Sequence, residues 1–249
     1  MDTLAERWEQ LKPYIQVVGP EGRRPTVLMF HGCGGKGEFI KDYAQAAAEV
    51  GVRSVIVDSF APRGWSDAFA TVFVCAGVLL WGRERAGDVL AAAHGAIRDL
   101  DADPEQLLLA GWSHGGWSVM DLMTMPLQAR GEAGLVDPSP EPLAGLKGLF
   151  LAYPYGGVAT LSRRGWVRSP RVLAVVAERD MVTSVRDATS LYAAIRGSGA
   201  EVDIWSAAGG AHAFDEYDSP MARLRYKPDL AAEALSRFRG FLTETVVAA

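Results

Sequence analysis

Short, uninterrupted apolar runs alternate along the chain with longer segments in which apolar residues recur every three to four positions. That alternation predicts a mostly parallel sheet flanked by helices. The runs place strands at residues 26–30, 53–57, 106–110, 148–152, 172–177 and 201–205, with 14–18 as an edge strand. Their Val, Ile, Leu and Ala content suits strands covered on both faces. Helices are predicted at 38–50, 83–100, 115–125, 185–197 and 229–246. Asp101, Asp103 and Pro104 punctuate one helix-to-strand turn. The longest loop, 129–146, carries Pro138, Pro140 and Pro142, yet strands continue on both sides, and a split there would leave two incomplete sheets. The expectation is one α/β domain over 1–249, with excursions at 65–82 and 155–169 that could form a small lid.

Composition narrows the function classes. The chain has 249 residues, of which 49% are hydrophobic and 22% charged, ample for a sizeable core. A formal net charge of -5, with Lys and Arg scattered, argues against a nucleic-acid partner. Asp2, Glu6, Arg7, Glu9 and Lys12 interrupt the apolar residues of the amino terminus, so no secretory signal is read there. The most apolar internal stretch, 72–81, is far shorter than the roughly 20 residues that span a bilayer. A cytoplasmic protein without membrane association is expected. The two cysteines, Cys33 and Cys75, are too few for a disulfide framework and lack metal-ligand spacing.

Candidate chemistry begins at Gly111-Trp112-Ser113-His114-Gly115-Gly116, a G-x-S-x-G sequence between a predicted strand and a predicted helix. Small residues are needed where the chain turns sharply to lift a serine above a sheet. The following helix directs its positive end at any oxyanion forming there. Serine is a weak nucleophile and needs a base oriented by an acid. Beyond this motif the sole histidine is His212, in the glycine-rich loop after the last predicted strand. Asp180 follows the 172–177 strand at the same sheet edge, with Glu178 and Asp215 as rivals. Two backbone N–H groups are expected to hold the oxyanion, those of His114 and of Cys33 in His31-Gly32-Cys33-Gly34-Gly35.

Taken with the turn Asp58-Ser59-Phe60-Ala61-Pro62-Arg63-Gly64 and with Gly-Ala-His-Ala-Phe at 210–214, these motifs resemble the dienelactone hydrolase family of α/β-hydrolases. The resemblance runs from about residue 25 to the last helix and is specific as a set, each piece alone being common. It implies the α/β-hydrolase fold, with a mostly parallel central sheet and helices on both faces. It also implies a cofactor-free enzyme with a small pocket over the sheet. The family's name-giving members use a cysteine nucleophile where Ser113 stands here. That departure points away from dienelactones, toward an esterase or related hydrolase of a small carboxylic ester, lactone or thioester.

Other readings compete. Gly32-Cys33-Gly34-Gly35-Lys36-Gly37 spells G-x-G-x-x-G, and Asp58 ends the next strand, so a nicotinamide-dinucleotide oxidoreductase is one alternative. Acyl transfer on the same fold is another, and a non-catalytic binding protein a third. A P-loop is excluded because Gly37 follows Lys36. His94 reads as a helix-surface or packing residue, and no i, i+4 histidine pair suggests a metal. Among Arg63, Arg83 and Arg85, Arg63 is best placed to grip a substrate carboxylate. Tyr153 and Tyr155 end a strand at the active edge and are candidate substrate contacts. Trp65, Phe69, Phe73, Leu79 and Trp81 could line an acyl pocket or form an internal helix face. Oligomeric state is not legible.

Overall fold

The structure is a computed structural model that describes residues 1–219 and 222–247. Residues 220, 221, 248 and 249 of the expected 1–249 domain lie outside the described residues. Seven strands form one sheet: β1 (Ile15–Val18), β2 (Arg24–Phe30), β3 (Arg53–Val57), β4 (Ala102–Trp112), β5 (Leu146–Ala152), β6 (Arg171–Ala177) and β7 (Val202–Ala207). Their order is β1-β3-β2-β4-β5-β6-β7. Among the described residues only the β1–β3 pair is antiparallel, as suits an edge strand.

Side chains alternate across each strand, so one run feeds two cores. Leu107 and Leu109 of β4 pack under the helices α1 (Leu4–Leu11), α4 (Gly82–Asp99), α5 (His114–Met123) and α6 (Val185–Gly197). Leu108 and Ala110 face the opposite layer, formed by α2 (Phe39–Glu49) and α8 (Pro228–Leu242). Among the described residues the remaining α-helices are short: α3 (Asp67–Phe73) and α7 (Ala222–Arg225). With both faces covered, residues 27–30, 107–111, 148–152 and 172–177 of the parallel strands carry no polar side chain.

Three helices were not expected from periodicity, α1, α3 and the four-residue α7. α1 is capped by Thr3, whose side chain accepts from Glu6 N–H while Glu6 caps Thr3 in return. It is pinned by Trp8, fully buried, with its indole N–H donating to Asp99 at 2.8 Å. α3 is about two turns long, too short for a period to register. β4 also starts earlier than expected, at Ala102. Pro104 lacks the N–H that a ladder needs, and the pairing register of β4 on β2 shifts after Ala102 before resuming at Leu107.

Candidate active site

Parallel strands aim their carboxyl ends at one edge, and the loops there gather the candidate residues. β4 ends at Trp112, and the chain reverses into α5 at once. Ser113, the residue of the turn, has φ 48° and ψ -113°, a costly conformation for a residue with a Cβ. The turn closes only because its neighbours are glycines. A Cβ on Gly115 would strike the Phe30 and His31 carbonyl oxygens, and one on Gly111 would strike the backbone of Gly116.

Ser113 Oγ lies 2.8 Å from His212 Nε2, and His212 Nδ1 lies 2.8 Å from Asp180 Oδ2. A carboxylate only accepts, so Nδ1 carries the hydrogen, leaving Nε2 free to accept from the serine hydroxyl. The second Asp180 oxygen accepts from the Val182 and Thr183 N–H groups at 2.7 and 2.9 Å, which fixes the carboxylate. The β6 and β7 loops that carry these two residues are tied by Arg179 N–H to the Gly210 carbonyl at 2.8 Å. Glu178 is exposed. Asp215 is fully engaged elsewhere, accepting from Tyr43 at 2.6 Å and Tyr153 at 2.5 Å.

The β2 loop approaches the serine closely: a Cβ on Gly32 would lie 3.5 Å from Ser113 Cβ. Cys33 in this loop is disulfide-bonded to Cys75, beyond α3. That pairing was not anticipated, because two cysteines 42 residues apart carry no spacing signal. Over Ser113 and His114 opens a cavity of about 250 Å³ walled by Val74, Cys75, Trp81, Trp117, Tyr155, Ala159 and Val182, among others. Among the described residues no acidic side chain, Lys or Arg lines it. His114 itself is held neutral: burial and the Arg85 charge press its pKa down to about 3.

Two substrate-contact expectations are corrected. Arg63 does not face this cavity. Its guanidinium binds both oxygens of Asp88, at 2.8 and 3.0 Å, and Asp88 is fully buried and shared with Arg7. Tyr153 is buried beneath the site, its ring 5.0 Å from that of His212 and its hydroxyl on Asp215. It supports the imidazole from below. Tyr155 does line the cavity. Of the five aromatic and aliphatic residues at 65–81, Trp81 lines it too, whereas Trp65, Phe69 and Phe73 stack in a row, with Phe69 and Phe73 partly exposed.

Behind the serine sits a second acid. A Cβ on Gly32 would be 3.8 Å from Glu216 Oε1, and burial, together with Asp215 and Asp218, raises the Glu216 pKa to about 8. Acids surround the glycine loop generally. Asp67 fills the space beside Gly35, and Asp218 lies 3.0 Å from a Gly37 Cβ while accepting from the Glu38 N–H at the start of α2. The α2 end where a pyrophosphate would bind is thus occupied by a carboxylate, which removes the basis of the dinucleotide reading.

No protein-family model matches the chain, and no curated protein matches it by sequence. Solved structures do. One is described as a dienelactone hydrolase from Klebsiella pneumoniae, with TM-score 0.66 and 17% identity over 91% of this chain and 89% of that one. A dienelactone hydrolase-like promiscuous phosphotriesterase from metagenomic libraries gives TM-score 0.64 and 14% identity over 91% and 88%. Esterase 2 of Thermogutta terrifontis, phosphonylated by sarin, gives TM-score 0.64 and 14% identity over 92% and 89%. The chain therefore has the α/β-hydrolase fold, in the form found in dienelactone hydrolase-like proteins and esterases.

Proposed function

We propose that the protein is a serine hydrolase of small, uncharged carboxylic esters, lactones or thioesters. The observation that carries the reading is the hydrogen-bonded chain from Ser113 Oγ through His212 to Asp180, with both links at 2.8 Å, at the tip of a strained strand-to-helix turn. His212 Nε2 takes the serine proton as Oγ attacks the carbonyl carbon. Asp180 holds Nδ1–H and stabilises the imidazolium that results. The N–H groups of Cys33 and His114 receive the oxyanion, reinforced by the positive end of α5. Collapse of the tetrahedral intermediate expels the alcohol or thiol, which leaves with the proton from His212. Water, deprotonated by His212, then cleaves the acyl-enzyme and restores the serine.

The substrate class follows from the wall of the cavity. Its apolar and aromatic lining offers nothing to pair with a substrate carboxylate, and the arginine expected for that purpose is bound to Asp88. A volume of about 250 Å³ accommodates a short acyl group. The segments 65–82 and 155–169 contribute Val74, Trp81, Tyr155 and Ala159 to the wall, and in this reading they act as a small lid. Among the described residues no helix is long and apolar enough to cross a membrane. A cytoplasmic location belongs to the same proposal. The Cys33–Cys75 bond pulls the other way, since disulfides persist in oxidising compartments. Counting free thiols in protein trapped directly from its own cells decides between them.

The test is hydrolysis of p-nitrophenyl acetate beside an ester of matched size that carries a free carboxylate. Wild type is expected to prefer the neutral ester, and Ser113→Ala and His212→Ala to lose turnover of both. Undiminished turnover in Ser113→Ala would exclude the mechanism. A preference for the anionic ester would exclude the substrate class.

A further inference from the structure

Arg85 stands in the second turn of α4, fully buried. Its Nε donates to Ser59 Oγ at 2.9 Å. Its Nη1 donates to the His31 carbonyl at 2.8 Å and to His114 Nδ1 at 3.1 Å. Its Nη2 is buried without any hydrogen-bond partner. Among the described residues no carboxylate forms an ion pair with it; Asp88, one turn further along α4, is held by Arg63 and Arg7 instead. The guanidinium also lies over the Phe60 ring, 5.3 Å from its centroid.

As a stabilising element this is a poor arrangement. Taking a cation out of water is costly, and without a carboxylate partner little repays it; an apolar side chain of similar volume would hold the fold as well or better. What the guanidinium does contact is informative. His31 opens the loop that carries the Cys33 N–H, and His114 follows the serine and carries the other N–H. The two hydrogens of a single nitrogen, Nη1, are divided between these two arms.

The tautomer of His114 supports the assignment. Its Nε2 lies 2.7 Å from the Leu80 carbonyl, which can only accept, so Nε2 carries the hydrogen and Nδ1 is a bare acceptor facing Arg85. Leu80 presents that carbonyl from a left-handed conformation, φ 53°, at the end of the segment that roofs the cavity. One guanidinium therefore ties the β2 loop, the start of α5 and, through His114, the roof.

We infer that Arg85 is the positioning residue of the oxyanion site: it sets the spacing of the Cys33 and His114 N–H groups and adds positive potential beneath them. The inference rests on the serine-hydrolase reading. Because the oxyanion exists only after attack, a residue with this role acts on kcat and leaves KM nearly untouched. A merely structural arginine would lower the amount of folded enzyme and leave turnover per active serine unchanged.

The experiment compares wild type, Arg85→Met and Arg85→Lys on p-nitrophenyl acetate, with active serines counted by fluorophosphonate labelling. Arg85→Met keeps much of the stem and removes every donor. Its kcat per labelled serine is expected to fall about 10²-fold, with KM within about twofold. Arg85→Lys, which retains a charge and three donors, is expected to recover part of the loss. Affinity for an aryl trifluoromethyl ketone, which forms an oxyanion on the serine, should fall in step with kcat. His114→Leu provides a second route should Arg85→Met not fold, since it keeps the backbone N–H and removes the acceptor. It is expected to lower kcat in the same way. A kcat per active serine within about threefold of wild type in either variant overturns the inference. If wild type neither hydrolyses the ester nor labels, the hydrolase reading fails and the role of Arg85 falls with it. Labelling of wild type that is lost in Ser113→Ala keeps the two outcomes apart.

Discussion

Breaking the Cys33–Cys75 bond is a perturbation whose size can be worked out beforehand. The bridge closes a loop between residues 42 apart, joining the β2 loop beside Ser113 to the turn after α3. In the chain-entropy model a loop of that length restricts the unfolded chain by about 4 kcal/mol at 25 °C. A chain of this size gains roughly 0.5 kcal/mol per kelvin of unfolding entropy at its midpoint, so loss of the bridge should lower Tm by roughly 8 °C. The assay is thermal unfolding of wild type with and without a phosphine reductant, beside Cys75→Ser under both conditions. Reduced wild type and Cys75→Ser should melt together, well below oxidised wild type. Esterase activity should fall as well, because Cys33 carries one of the proposed oxyanion donors and Cys75 lines the cavity. Equal melting of oxidised and reduced wild type would refute the reasoning: either the bridge does not form, or the loop is held by its other contacts.

Four further outcomes follow from the same structure. Asp180→Asn should lower kcat by about 10³- to 10⁴-fold, through loss of the tautomer that leaves Nε2 free. Asp215→Asn, in the carboxyl bonded to Tyr43 and Tyr153, should act mainly on stability, and matched kcat losses in the two variants would contradict the assignment of the acid. Glu216 holds a proton in the native state to about pH 8, whereas an unfolded glutamate releases it near 4.5, so its contribution is fully present below that ordinary value and is lost as pH rises toward 8. Glu216→Gln should therefore gain stability relative to wild type across that interval in urea titrations, and a constant difference at every pH would contradict the shift. Gly95→Ala should destabilise by about 1–3 kcal/mol, because its Cβ would enter the Trp8 ring where α1 crosses α4; a melting curve like that of wild type would mean that α1 is not docked as described.

Much of this architecture is legible in the sequence because buried parallel strands have a simple signature. Continuous apolar runs such as Leu107-Leu108-Leu109-Ala110 feed two cores at once, and few other structures require that pattern. The chain order of Ser113, Asp180 and His212 was equally readable, since each follows a predicted strand at one edge. α1 escaped because its Thr3-to-Glu6 capping box sits where charged residues were read only as evidence against a leader. The pairing of Cys33 with Cys75 depends on where α3 turns back over the site, and the sequence holds no local trace of it. Arg63 and Arg85 invert the expectation placed on them. From sequence both are arginines near the catalytic edge, and Arg63 followed a strand. Only the packing reveals that Asp88, one turn along α4 from Arg85, binds Arg63 and leaves Arg85 to the backbone of the β2 loop and to His114. Such assignments depend on distances between elements far apart in the chain, which no window of residues contains.

The central claim, that Ser113 is a nucleophile activated by His212, is tested most directly by intact-mass analysis after exposure to a fluorophosphonate. Wild type is expected to gain one adduct, located by peptide mapping on Ser113, and His212→Ala to gain it far more slowly. No adduct on wild type, an adduct on another residue, or labelling at the wild-type rate in His212→Ala would contradict the account.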